Sequence, residues 1–206
     1  TRVQLTCATM GQAIGTAIYL CKKYNVLPRG IVIDHIDELQ QILLKDGISI
    51  PNVLNHDPLD LALNAKVSAD SFIENGNPEN IINGKTRATD GLPYAWISKE
   101  GLPQSIILEF QKEEEVSEIR VTFDIPFDKY EQCFKPAPTH SELVTDFYIE
   151  VIHNGEWIRV AEVSENIQRL VVSKFDKIKT SKIRLTVKST VASNYAIVPE
   201  IRIYNK

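Results

Sequence analysis

The sequence predicts a mainly β protein: a jelly-roll β-sandwich preceded by a short helical segment of two helices. Apolar residues alternate with a period of two at Ile119, Val121 and Phe123, at Phe147, Ile149 and Val151, at Ile183, Leu185 and Val187, and at Ile201 and Ile203. These short runs are separated by turn-rich gaps, with no strong helical pattern between them, which is the pattern of a sandwich. Ahead of Pro51 the periodicity is helical instead.

The first helix is predicted over residues 5 to 25. Leu5, Ala8, Ala13, Ala17 and Leu20 are its apolar positions, and no proline intervenes before Pro28. It contains Gly11 and Gly15, one turn apart on one face, beside Ala13 and Ala17. Two glycines inside a helix cost about 1 kcal/mol each, so a close neighbour should compensate, either another helix or a cofactor. The second helix should start at Asp34 as its cap, with Asp37 and Glu38 in the first turn. Leu39, Ile42 and Leu43 form its buried stripe, Lys45 lies in the last turn and Gly47 ends it.

The stretch Cys7-Ala-Thr-Met-Gly-Gln-Ala-Ile-Gly-Thr-Ala-Ile-Tyr-Leu20 resembles the last flavin-contacting helix of a bacterial family of FAD-dependent oxidoreductases with a glutathione-reductase-like fold. The segments Asn25 to Gly30 and Ile36 to Pro51 are similar to the way that family ends. The resemblance implies that Thr9, Met10, Gly11, Gln12 and Gly15 lie on the flavin side, where a helix N-terminus stabilises negative charge. It also implies a missing upstream FAD domain, because no G-x-G-x-x-G dinucleotide turn occurs in this sequence. FAD is therefore expected in an intact parent and not on this fragment.

Residues 1–52 are thus expected to be the helical C-terminal remnant of an oxidoreductase domain, 53–62 a linker, and 63–206 the sandwich. Pro51, Asn52, Asn55 and Asp57-Pro58 discourage regular structure at the junction. In the sandwich, Asn83-Gly84 and Asp90-Gly91 predict turns, followed by Trp96 and then by the first strand, Ser105 to Phe110. Trp96 is expected to plug the core, and Trp157 to be core as well. Glu113-Glu-Glu115 is expected in a solvated turn. The long connection from Pro126 to Glu142 is expected to cover the sandwich, meet the missing enzyme part or wall a ligand cleft.

The order Asn-Gly, Arg87, Trp96-Ile-Ser98 and Leu102 to Phe110 is similar to the opening of a discoidin-like, galactose-binding-like domain (the coagulation-factor C-domain family). Tyr148-Ile-Glu-Val, Gly155-Glu-Trp157, Asn166-Ile-Gln-Arg169, Lys182 to Val187 and Pro199 to Tyr204 follow in that family's order. The resemblance implies glycan binding through loop aromatics and polar groups. Arg87, Tyr94, Tyr130, Phe134 and Tyr195 are the candidates. It also implies a calcium site at Asn83 and Glu200. Calcium wants six to eight oxygens, and Asn83 replaces the usual acid, so an interaction of Glu200 with Arg87 is the slightly preferred use of that carboxylate.

The 206 residues, 43% hydrophobic and 24% charged, are those of an ordinary globular chain, and a net charge of -4 excludes an electrostatic argument for nucleic acid. Cys7, Cys21 and Cys133 are too few and too scattered for a disulfide framework or a zinc site. The apolar stretch from Val3 to Leu20 carries too many polar residues for a signal peptide or a membrane span. His35, His56, His140 and His153 are dispersed, and no nucleophile or phosphate-loop motif occurs. The expected function is that of a non-catalytic fragment of an exported bacterial flavoenzyme, with an accessory, carbohydrate-directed sandwich. The alternative is an autonomous carbohydrate-binding module.

Overall fold

The computed structural model describes residues 3–87, 91, 93–125 and 140–206, and the side chain of Leu5 is outside it. Asp90, Tyr130, Cys133 and Phe134 lie outside the described residues. The chain forms two compact units, Thr1–Asp57 and Pro58–Lys206.

The first unit is helical: α1 is Gln4–Tyr24, α2 is Pro28–Asp34 and α3 is Ile36–Lys45. Asn25 ends α1 in the left-handed region (φ 54°), and Pro28 opens α2, where a missing N–H costs nothing. The sequence anticipates α1 and α3 but not the seven-residue α2. Asp34 is therefore not a cap. It is the last residue of α2, and His35 holds the cap position of α3 without a side-chain hydrogen bond. Leu20, Ile31, Leu43 and Leu44 are the buried centre of this unit. The Tyr24 ring stacks on His35 at 3.9 Å, and Tyr24 Oη and Lys23 Nζ each donate to Glu38 at 2.7 Å. Gln41 ties down the segment that follows: it accepts from His56 N (2.9 Å) and donates to the Leu54 carbonyl (3.0 Å).

The second unit is the sandwich. Its strands are β1 Lys66–Ala69, β2 Trp96–Ile97, β3 Gln104–Thr122, β4 Val144–His153, β5 Glu156–Val163, β6 Leu170–Thr190, β7 Ile197–Val198 and β8 Glu200–Tyr204. All pairings are antiparallel, in the order β1-β3-β6-β4-β5, with β8 beside β3 and a separate β2-β7 pair. The long strands β3 and β6 change partners along their length. Up to Glu109, β3 lies between β1 and the second half of β6. Beyond the register shift between Glu109 and Glu114, it lies between β8 and the first half of β6. Such bulges bend a strand and let it serve both layers of a sandwich.

The alternating residues named above are buried as the period of two requires. Ile106 and Leu108 of β3, Phe147, Ile149 and Val151 of β4, Ile183, Leu185 and Val187 of β6 and Ile201 and Ile203 of β8 share one core with Trp96. Asp60 is buried too. Its Oδ1 accepts from Ala62 N (3.1 Å) and Ile203 N (2.9 Å), fastening the entry segment to β8.

Two expectations are corrected. Glu113, Glu114 and Glu115 are not in a turn but within β3, where Glu114 and Glu115 pair with Thr180 and Lys179. Trp157 is not in the core but half-buried on β5. It pairs with Ile152, one residue out of phase with the inward-facing Val151, which directs the indole to the outer face. There the Arg184 guanidinium lies 4.2 Å over its ring while bonding Glu150 Oε2 at 2.6 and 2.9 Å.

Candidate functional site: a polar loop end of the sandwich

Several loops meet where β3 ends and β8 begins. Asn83 turns the chain into Gly84 (φ 80°), the left-handed position glycine supplies at least cost. The Asn83 side chain closes that turn, its oxygen accepting from Lys85 N (2.9 Å) and its amide donating to the Pro93 carbonyl (3.2 Å). Asn80 Nδ2 donates to the Ala95 carbonyl (2.9 Å), so two carboxamides clip the base of the loop that carries Arg87 and Tyr94. β2 then pairs with β7, Trp96 opposite Val198, and Ser98 extends the ladder: its N donates to the Ala196 carbonyl and its Oγ accepts from Ala196 N. Ser193 N and Ala192 N donate to the Ser141 carbonyl, fixing the segment before Tyr195 against residues 140–143.

Tyr94 Oη donates to Asp124 Oδ2 at 3.2 Å. Arg169 Nη2 donates to the Thr86 carbonyl at 2.7 Å. Burial, then the like charge of Arg87, pull the Arg169 guanidinium down to about 10, against the opposing fields of Asp124, Glu200 and Tyr94. Burial pushes the Tyr195 phenol up, helped by the carboxylates of Glu142, Asp124 and Glu100. Asp124 thus stands in the field of both the Arg169 and the Tyr195 groups. His140 and Glu142 are buried in the same region, Glu142 accepting from Ser141 Oγ.

Of the sequence-predicted residues, Arg87 and Tyr94 share this loop end with Arg169, and Tyr195 joins through Asp124. Tyr130 and Phe134 are outside the described residues. Asp124 and Glu142 were not singled out as site residues by sequence, and His140 and Arg169 appear there only as a dispersed histidine and as the end of the Asn166–Arg169 motif. Asp124 follows an alternating apolar run directly, and Arg169 closes a strand-to-strand turn, which are the signals that mark loop-end polar groups.

Glu200 is buried and ion-paired to Arg202 at 2.8 Å, not to Arg87. Burial raises its pKa against the attraction of Arg202. Its Oε1 has no hydrogen-bond partner among the described residues. A calcium ion between Asn83 and Glu200 would have to take the Asn83 oxygen from Lys85 N–H and compete with Arg202. Among the described residues no three His, Cys, Asp or Glu side chains are grouped as a metal site. Glu200 Oε1 is an open oxygen, and the other oxygens of a six-to-eight-coordinate ion would have to come from backbone carbonyls of residues 83–90, of which 88–90 lie outside the described residues.

Thr9, Met10, Gly11, Gln12 and Gly15 lie together on α1 in the helical unit. Met10 is 57%, Ile14 55% and Ile18 61% exposed, and nothing comes within 4 Å of a Cβ built on Gly11 or Gly15. The neighbour that the glycines imply is not supplied by the described residues. No described helix is long and apolar enough to cross a membrane.

The sandwich has the discoidin-like, galactose-binding-like fold. Among solved structures the chain is similar to the family 32 carbohydrate-binding module of Clostridium perfringens NanJ in complex with galactose, at 21% identity and a TM-score of 0.56 over 71% of this chain and 98% of that one. It is also similar to the family 32 module of Streptococcus pneumoniae EndoD (19%, TM-score 0.56, 71% and 99%). A third is chitosan-binding module 2 of a Paenibacillus chitosanase/glucanase in complex with chitotriose (17%, TM-score 0.56, 71% and 100%). At these identities the likeness is one of fold. Neither a family model nor a curated protein matches the chain.

Proposed function

We propose that the sandwich is an accessory carbohydrate-binding domain whose ligand docks at the loop end formed by Arg87, Tyr94, Asp124, Arg169 and Tyr195. The observation that supports this most directly is the hydrogen bond of the half-buried Tyr94 to the buried Asp124, a carboxylate whose field also reaches Arg169 and the half-buried Tyr195. Phenol rings cover the apolar face of a pyranose, while Arg and Asp donate to and accept from its hydroxyls. The fold is also that of modules solved with galactose and with chitotriose. Titration of the full chain against neutral mono- and oligosaccharides should show saturable binding. Tyr94→Ala and Arg87→Ala should each lower affinity about tenfold or more, equal to roughly 1.4 kcal/mol. The titration is repeated with added calcium and with a chelator, and equal affinities are expected. An absence of binding across the panel, or variants that bind like the unmodified chain, overturns the assignment.

For residues 1–52 we propose the end of an FAD-dependent oxidoreductase domain, with Thr9, Met10, Gly11, Gln12 and Gly15 on the flavin side and the sandwich exported with the enzyme. Supporting this is the α1 surface itself: Val3 through Cys21 contains no charged residue, yet Met10, Ile14 and Ile18 are open to solvent. Bound flavin would supply hydride transfer, and the residues of this chain would offer it the open glycine face of α1 at Gly11 and Gly15. Protein expressed from the natural start of its gene should purify with flavin absorbance, and residues 1–206 alone should be colourless. A colourless longer protein removes the flavin reading.

A further inference from the structure

We propose that Arg169 is a positioning residue of the loop end: it holds the backbone beside Arg87 and so sets where Arg87 stands. Its Nη2 donates at 2.7 Å to the carbonyl of Thr86, a buried residue 83 positions away in sequence. A buried carbonyl that loses its donor has little water to replace it, so this bond constrains the loop strongly.

Arg169 is itself held by a rigid arm. Its own carbonyl accepts from Phe123 N at 2.7 Å, at the end of β3. Three residues earlier the buried Asn166 is stapled to β4: its Nδ2 donates to the Val144 carbonyl (2.8 Å) and to the Gln168 carbonyl (2.9 Å). Its oxygen accepts from Gln168 N (3.0 Å), and its backbone N donates to the Thr145 carbonyl (2.9 Å). The chain of contacts therefore runs from β4 through Asn166 to Arg169, and from Arg169 to Thr86, just after the Asn83-Gly84 turn of the 83–95 loop. The asparagine clips at Asn80 and Asn83 fasten the base of that loop, at Pro93 and Ala95.

Burial and the like charge of Arg87 disfavour the charged Arg169 guanidinium, while its hydrogen bond to the Thr86 carbonyl needs a donor at that place.

The test compares Arg169→Met, Arg169→Lys and the unmodified full chain by amide hydrogen exchange, thermal melting and glycan titration. The methionine variant should raise exchange at Lys85–Arg87 about tenfold or more, with Ala95, which the Asn80 clip holds, and core amides such as Ile106, Phe147 and Leu185 unchanged. Its midpoint should move by less than about 3 °C, while glycan affinity falls about tenfold. Lysine, which keeps a donor, should restore part of both losses. Unchanged loop exchange in Arg169→Met overturns the proposal, as does a uniform rise over the whole sandwich. This inference leans on the carbohydrate reading for its ligand alone. If the unmodified chain binds no glycan, that reading fails, and loop exchange still decides the role of Arg169.

Discussion

Replacing Trp96 with alanine should destabilise the sandwich by about 4 kcal/mol, the usual cost of emptying a large aromatic site in a core. The indole is 0% exposed and heads the fully buried side chains by volume. It packs in the core shared by β3, β4, β6 and β8, and its Nε1 donates to the Ser71 carbonyl at 2.9 Å. Alanine therefore leaves both a cavity and a carbonyl without its donor. Phenylalanine keeps most of the volume and loses chiefly the hydrogen bond, so Trp96→Phe should cost about 1–3 kcal/mol. For a domain of this size 4 kcal/mol corresponds to a midpoint lowered by roughly 8–16 °C. Near-ultraviolet circular dichroism on heating measures it, with the half-buried Trp157 present in every variant. A Trp96→Ala midpoint within about 2 °C of the unmodified chain would mean the indole is not the plug.

Strand periodicity was the most legible feature, because it is local: Ile119, Val121 and Phe123 point inward whatever their partners are. What sequence could not supply was long-range pairing. Three consecutive glutamates read as a solvated turn, yet the register shift after Glu109 continues β3 through them, with Glu115 opposite Lys179. Trp157 reads as core on hydrophobicity, but its pairing with Ile152 directs it outward. The site divides in the same way. Arg87 and Tyr94 lie in one loop, and the resemblance to a discoidin-like domain points to them. Asp124 and Arg169 reach that loop from the ends of two other strands, and no spacing in the chain encodes the meeting. The short α2 was missed because Pro28 stops one helix and starts the next within three residues of Asn25.

Removing the Glu118 carboxylate should be a large electrostatic loss for the sandwich. Glu118 is 1% exposed on β3, opposite Tyr204, and its Oε1 accepts from Arg120 Nε at 2.7 Å and from Lys206 Nζ at 2.6 Å. Burial alone would raise its pKa, but the hydrogen bonds from Lys206 and Arg120 and their charges outweigh it, and the net displacement is downward. Glu118→Ala leaves Arg120, itself largely buried, without that partner, and should cost about 3 kcal/mol at neutral pH. The pH dependence follows from the sign of the shift. A carboxylate depressed in the folded state contributes its full stability above its unfolded pKa, near about 4.3, and loses it as pH falls through the lower folded value. Denaturant titrations between about pH 7 and about pH 3 should therefore give Glu118→Gln a flatter acid limb, its deficit largest at neutral pH and closing below about 4. Asp146, held low by Ser189 and Thr145, adds to the acid slope, and Glu200, raised by burial, opposes it. Both remain in the variant, so the difference between the two curves belongs to Glu118. Parallel curves over the whole range would show that the carboxylate is not coupled to folding, and that Lys206 and Arg120 serve it only as surface counterions.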